Sequence, residues 1–206
     1  MASDAHAAAP AIDRAGMSPL ARMNPGVLGM AIFIGSEIMV FAAFFTAYFI
    51  ARSNAAQWPP VFEGLPEFEG LPKLITGVNT AILVFSSFTL WWGEKRLAAG
   101  DRQGFLRGLI MTLLLGATFL IIQINEYAHL GFTPQDTIFG TVFYCLTGLH
   151  GLHVLVGLLV LLFCLNRARK QNEFRHGAAA PLVAGSIYWH FVDVVWVFLY
   201  AVVYLI

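Results

Sequence analysis

The chain has 206 residues, of which 58% are hydrophobic and only 12% are charged. About a quarter of the residues of a soluble domain are charged, so this composition indicates an integral membrane protein. The formal net charge is zero, which excludes an electrostatic basis for binding nucleic acid.

The chain divides into a short tail and one membrane domain. Residues 1–22 are rich in alanine and lack the apolar stretch of a signal peptide, so we expect a flexible cytoplasmic tail. Residues 23–206 are predicted to form the membrane domain. A bilayer core of about 30 Å is crossed by about 20 apolar residues in a helix. Five segments meet this requirement and predict an all-α fold of five transmembrane helices, at about 25–50, 73–93, 105–129, 138–166 and 181–205.

The basic residues predict how these helices are oriented. The tail holds two lysines or arginines, and the second and fourth connections hold four each. The first connection holds only Arg52 and Lys73, and the third holds none. Because basic residues collect on the cytoplasmic side, we predict a cytoplasmic N-terminus and an external C-terminus.

Six ionisable side chains lie inside the predicted spans: Glu37, Glu126, His150, His153, His190 and Asp193. Glu126 lies toward the outer end of the third helix, and the others lie near mid-membrane. The two histidines of the fourth helix are three residues apart, as are His190 and Asp193, so each pair shares a helix face. Unpaired charges are costly in lipid. We therefore predict a polar seam between helices, in which acids face imidazoles and which the fifth helix shares with the fourth.

Three roles for these side chains follow from the residues alone. Histidines and carboxylates ligate metals or haem, they form proton paths, and they hydrogen-bond helices together. Haem ligation is disfavoured because His150 and His153 lie on one helix, and we predict no metal site. Trp189 and Trp196, seven residues apart on one face, are expected to pack rather than to bind a cofactor. Thr147, Gly148 and Gly151 form a small-residue strip that would allow close helix approach.

Several motifs resemble subunit III of the haem–copper terminal oxidases, in order along about residues 25–206. They are Ser36-Glu-Ile38, Asn79-Thr80, Gly100-Asp-Arg102, Glu126-Tyr127, Gly148-Leu-His-Gly-Leu-His-Val154 and Tyr188-Trp-His-Phe-Val-Asp-Val-Val-Trp196.

This resemblance implies a non-catalytic subunit of a respiratory oxidase, closest to cytochrome c oxidase, which reduces oxygen to water and pumps protons. In that family the haems and coppers belong to subunits I and II, so no catalytic residue or redox cofactor is expected on this chain. The resemblance also implies direct packing on subunit I, subunit II as a further partner, bound phospholipid, support of proton uptake, and a bacterial plasma (inner) membrane.

The resemblance also singles out individual features of the chain. The family's larger form has seven helices, and this chain lacks the first two, so the lipid cleft would stay open or be completed by another chain. Glu37 matches the family's buried glutamate. We expect it to hydrogen-bond His150 or His153, because all three lie at similar depth and are costly to leave unpaired. Arg22, Arg52 and His176 are candidate contacts for lipid headgroups, and ordinary snorkelling is the alternative for each.

Other functions stay open at this stage. They are a quinol oxidase subunit III, a subunit III-like accessory protein of a nitric-oxide reductase, an independent proton-coupled transporter and a stand-alone haem protein. Trp58-Pro-Pro60 and the motif in the last helix favour the oxidase. A transporter is disfavoured because the chain shows no inverted repeat and no pair of broken helices.

Overall fold

The computed structural model describes residues 25–59, 71–170 and 180–206. These residues form five helices and no strands: α1 (Pro25–Ser53), α2 (Lys73–Ala98), α3 (Arg102–His129), α4 (Ile138–Lys170) and α5 (Ala180–Tyr200), which ends in a π-helical turn (Ala201–Leu205). Each of the five is long and apolar enough to cross a membrane. The prediction of an all-helical protein with five spans is confirmed, while the tail at residues 1–22 lies outside the described residues.

Most of the helices are longer than the apolar segments that predicted them. Helix α2 ends at Ala98, five residues after the predicted end, because charged residues such as Lys95 continue the helix beyond its apolar part. Helix α3 begins abruptly because the Asp101 carboxylate accepts a hydrogen bond from the Gly104 amide at 2.8 Å. The Arg102 guanidinium donates to the Ala168 carbonyl at 2.7 Å, which fastens the start of α3 to the end of α4.

Helix α5 packs against α1, α2 and α4. Its two tryptophans are fully buried, as the packing prediction requires. The Trp189 indole N–H donates to Ser86 Oγ at 3.0 Å, and the Trp196 indole N–H donates to Thr80 Oγ1 at 2.9 Å. Each large ring therefore has its one polar atom satisfied by α2.

Glycines set the closest helix contacts, but they are not the glycines that the sequence pattern indicated. A Cβ on Gly108 would lie 2.7 Å from the Gly93 Cα, so α2 and α3 touch through their backbones there. A Cβ on Gly116 would lie 2.6 Å from the Trp189 ring. At Gly148 a Cβ would meet nothing within 4 Å, and at Gly151 only an ordinary contact. The predicted strip on α4 is therefore not a site of close helix approach within the described bundle.

Helix α1 lies at the edge of the bundle. It packs on α4 and α5, and few of its side chains are buried. Its outward surface carries large apolar residues, among them Ile32, Ile38, Met39 and Ile50. A helix with one packed edge and an apolar outer surface is suited to lipid or to a further helix.

Candidate functional site

Glu37 of α1 pairs with His153 of α4 near the middle of both helices. Glu37 Oε2 lies 2.9 Å from His153 Nε2, and the two side chains are 17% and 10% exposed. The sequence left His150 and His153 open as partners, and the structure places His153 at this carboxyl group. The contact joins the peripheral helix to the bundle at mid-membrane depth.

The hydrogen bonds of His153 define where protons sit in this pair. His153 Nδ1 lies 2.8 Å from the Leu149 carbonyl oxygen, which can only accept, so Nδ1 carries a hydrogen. The 2.9 Å contact between His153 Nε2 and Glu37 Oε2 then requires one further proton between these two atoms. Either a neutral acid donates to a neutral ring, or an imidazolium donates to a carboxylate. The net charge of the pair is zero in both forms.

Aromatic side chains pack against the histidine of the pair. The Phe41 ring lies 5.0 Å from the His153 ring between centroids, and Phe41 is itself buried. The Tyr188 hydroxyl donates to the His153 carbonyl at 3.2 Å, which adds a contact from α5. Glu37 and His153 are therefore held by three helices.

His150 lies one turn from His153 but occupies a different environment. Its ring is fully buried and lies 4.6 Å from the Trp196 ring and 5.9 Å from the Phe119 ring between centroids. Neither of its ring nitrogens has a hydrogen-bond partner within the described residues. His150 therefore acts as an aromatic packing residue between α3, α4 and α5.

A second polar cluster joins α2 and α5 at mid-membrane. Ser87 Oγ donates a short hydrogen bond to Asp193 Oδ2 and lies 2.9 Å from His190 Nδ1. Because the serine hydroxyl has one hydrogen, which goes to Asp193, the Nδ1 atom of His190 must donate to the serine oxygen. The histidine therefore does not withdraw the serine proton, and the cluster differs from a Ser-His-Asp catalytic triad.

A third cluster surrounds Glu126 near one end of the bundle. The Glu126 carboxyl group accepts from the Tyr204 hydroxyl at 2.9 Å and from the Thr76 hydroxyl at 3.1 Å. All three side chains are buried. The cluster links α2, α3 and the π-helical turn that follows α5.

These contacts divide the predicted polar seam into separate parts. His190 and Asp193 of α5 face α2 rather than α4, and Glu126 of α3 also faces α2. The space between α5, α3 and α4 is filled by tryptophan rings, because Trp189 packs on Gly116 and Gly157. The expectation of one seam shared by α4 and α5 is therefore wrong. The position of a side chain along a helix can be read from the sequence. The direction in which it points around the helix axis cannot, when all faces of the helix are apolar.

Comparisons with known proteins give this arrangement a family. A family model described as cytochrome c oxidase subunit III matches residues 16–206. The chain belongs to the cytochrome c oxidase subunit III family. The resemblance stated from the motifs is thereby confirmed.

Named relatives of subunit III extend from cyanobacteria to insects. A cytochrome c oxidase subunit 3 of a Synechocystis species is 40% identical over 180 residues, which are 87% of this chain and 75% of that protein. The protein of the same name from Drosophila melanogaster is 41% identical over 181 residues, covering 85% of this chain and 67% of its own length. That of Thermostichus vulcanus is 34% identical over 180 residues, 87% of each chain. This subunit III is thus part of an oxidase complex and a multi-pass membrane protein.

Of the three predicted lipid-headgroup contacts of this subunit III, the structure describes Arg52. Arg52 Nη2 donates to the Ile206 carbonyl at 2.8 Å, so part of its guanidinium serves the end of the π-helical turn. Arg22 and His176 lie outside the described residues. Among the described residues, no three His, Cys, Asp or Glu side chains form a group that could hold a metal ion.

The hydroxyl groups that complete the clusters were not among the site residues predicted from the sequence of this subunit III. Ser87 serves Asp193, while Thr76 and Tyr204 serve Glu126. The signal lay in α2, an apolar helix that carries several hydroxyl or amide side chains: Thr76, Asn79, Thr80, Ser86, Ser87 and Thr89. Such residues in a transmembrane helix indicate interhelical hydrogen bonds.

Proposed function

We propose that this chain is a non-catalytic subunit of the oxidase that carries no redox centre, packs directly on subunit I and supports proton uptake by it. The observation that carries the proposal is the pairing of Glu37 with His153 around one shared proton at mid-membrane. Buried acids and histidines at this depth are the usual parts of proton relays. Oxygen reduction then takes place on haem and copper held by subunits I and II.

The geometry of the pair suits a local proton store. A proton can pass between Glu37 Oε2 and His153 Nε2 across 2.9 Å without changing the net charge of the pair. The Leu149 carbonyl holds the other ring hydrogen in place, so the imidazole keeps one orientation and one tautomer. Because the net charge is constant, the transfer leaves no uncompensated charge in the bilayer core.

The apolar outer surface of α1 supports lipid binding. Met39 and Ile32 stand far out from the bundle on the helix that carries Glu37. Phospholipid chains are proposed to cover this surface wherever no further helix does. Arg22, Arg52 and His176 remain proposed headgroup contacts, and Arg52 would use the guanidinium nitrogens that do not serve Ile206.

The orientation follows from charge alone. The second and fourth connections, with four basic residues each, are proposed to face the cytoplasm, which places the N-terminus inside and the C-terminus outside. The membrane is proposed to be the bacterial plasma membrane. Cytochrome c is the proposed electron donor of the complex, in keeping with the names of the relatives. Assays of one preparation with reduced cytochrome c and with quinol distinguish the two donors.

Glu37→Gln in the assembled oxidase tests the proton role. The amide has nearly the shape of the carboxyl group and can still donate to His153 Nε2, but it cannot pass a proton on. We expect assembly and initial oxygen consumption within about twofold of the parent enzyme, with slower proton uptake or a shorter turnover lifetime. Stopped-flow proton uptake and oxygen-electrode traces measure both quantities.

Ser36→Ala is the matched control for that substitution. Ser36 neighbours Glu37, and within the described residues its hydroxyl bonds only the Phe33 carbonyl of its own helix, at 2.6 Å. Its proton uptake and lifetime should equal those of the parent enzyme. If Glu37→Gln behaves like this control, Glu37 is a structural residue and the proposed proton role is wrong.

A further inference from the structure

A buried polar cluster near the end of α3 contains groups that this chain leaves unpaired. Gln123 is only 2% exposed, and neither its amide nitrogen nor its amide oxygen has a hydrogen-bond partner within the described residues. The hydroxyl oxygen of Tyr127, one turn further along α3, is also buried and has no partner there. Because a buried amide or hydroxyl is costly without a hydrogen bond, these three atoms require a partner.

The side chains around these atoms approach them without bonding them. The Tyr127 hydroxyl lies beside the side chains of Gln123 and Thr147, and Gln123 also lies beside Tyr204 of the π-helical turn. None of these approaches to Gln123 or Tyr127 has the geometry of a hydrogen bond. The unpaired atoms therefore face one another where α3, α4 and the end of α5 meet.

The neighbouring hydroxyl hydrogens are already used elsewhere. Tyr204 donates to Glu126 Oε1 at 2.9 Å, and Thr147 donates to the Phe143 carbonyl at 2.7 Å. A hydroxyl group has one hydrogen, so neither can donate to the Gln123 amide oxygen. The Gln123 amide nitrogen at the same time needs an acceptor. The missing partner must therefore be able both to donate and to accept.

Size and position restrict what this partner can be. Gln123, Thr147 and Tyr204 are each at most 2% exposed, so a lipid chain or the side chain of another protein does not reach them. Gln123 lies six residues before the end of α3 at His129, about 9 Å along the helix axis, so the membrane surface is close. Water is small, donates twice and accepts twice, and buried waters in proteins bond otherwise unsatisfied polar groups.

We propose that Gln123, Tyr127 and Tyr204 line an internal water site, which connects the unpaired atoms of α3 to the Glu126 cluster. A water there accepts from the Tyr127 hydroxyl and donates to the Gln123 amide oxygen and the Tyr204 hydroxyl oxygen. The site joins α3 to the end of α5 through water as well as through Glu126. The proposal is independent of the proton role of Glu37.

Electron cryo-microscopy of the intact oxidase, at a resolution that shows ordered water, tests the site directly. We expect density about 2.7–3.2 Å from the Gln123 amide oxygen and from the Tyr127 hydroxyl oxygen. A direct hydrogen bond between these two side chains, with no density beside them, would show that the site is dry. Density with oxygen ligands at about 2.0–2.6 Å would be a metal ion and would also overturn the proposal.

A matched pair of variants tests whether Tyr127 holds the water. Tyr127→Phe removes a hydroxyl group from the site and should weaken the water density. Tyr144→Phe is the control, because the Tyr144 hydroxyl donates to the Phe132 carbonyl at 2.9 Å and its ring lies 5.1 Å from the Tyr127 ring. The control should keep the density. Unchanged density in Tyr127→Phe, or an equal loss in both variants, would contradict the proposed site.

Gln123→Met distinguishes a hydrated amide from a dry one by the sign of its effect. Methionine has nearly the size of glutamine but no strong hydrogen-bonding group. If the site holds water, the variant leaves the water and Tyr127 without a partner. We then expect the melting temperature of this chain in the intact oxidase, followed by protease resistance, to fall by about 2–4 °C. An unchanged or higher melting temperature would show that the amide is unpaired and dry in the parent protein.

Discussion

The two mid-membrane clusters of this subunit contain the same residue types but differ in closure. At the Glu37 pair, the acid and the imidazole bond each other, and Phe41 covers the imidazole. At Asp193, a serine stands between the acid and the imidazole, one carboxyl oxygen has no partner in the described residues, and an open groove between α2 and α5, with Val197 in its wall, runs beside it. The comparison teaches that one acid is paired with an imidazole, whereas the other has only a hydroxyl partner among the described residues.

This difference has a cause in helix packing. Glu37 reaches His153 because α1 lies directly on α4 and α5. Asp193 lies on the side of α5 that faces α2, where the nearest polar group is a hydroxyl rather than an imidazole of α4. The buried acid is therefore paired with an imidazole in one place and with a hydroxyl in the other.

The largest expected effect comes from breaking the closed pair. His153→Leu leaves the Glu37 acid without its partner at mid-membrane, and we expect the free energy of unfolding to fall by about 3 kcal/mol. Unfolding titration of the reconstituted subunit measures it. The double variant with Glu37→Leu should recover most of the loss. A double variant as unstable as the sum of both single variants would show that the pair is not coupled.

A smaller effect is expected at the open cluster. Ser87→Ala removes the donor to Asp193 Oδ2 and should lower the free energy of unfolding by about 1–2 kcal/mol in the same titration. Thr46→Val is the control, because the exposed Thr46 hydroxyl bonds, in the part of the chain that the structure describes, only the Ala42 carbonyl of its own helix. A loss as large as that of His153→Leu would mean that the open cluster contributes as much to the bundle as the closed pair does.

The smallest effect should come from the wall of the groove. Val197→Ala shortens a side chain that is exposed in the isolated subunit. The free energy of unfolding of the reconstituted subunit should therefore change by less than about 0.5 kcal/mol. Unfolding titration of the reconstituted subunit measures this change. A large loss of stability in the subunit alone would indicate that the groove is closed within this chain and would remove the contrast between the two clusters.

Much of the architecture was predictable. Span number and approximate limits followed from apolar length, because the bilayer thickness imposes a minimum helix length. The shared face of Trp189 and Trp196 followed from their spacing of seven, and the structure shows that this face is buried. The choice of His153 over His150 did not, because both lie near the same depth and only the rotation of α4 against α1 separates them.

The sequence by itself determined the class of protein, the number of spans, the depth of each ionisable group and the family, since all of these depend on composition and on order along the chain. Only the tertiary structure decided which groups meet. In lipid, every face of a helix is apolar, so periodicity does not reveal the packed side. The pairing of Glu37 with His153 and the separation of Asp193 from the fourth helix therefore depend on how five helices rotate to fit the Trp189 and Trp196 rings between them.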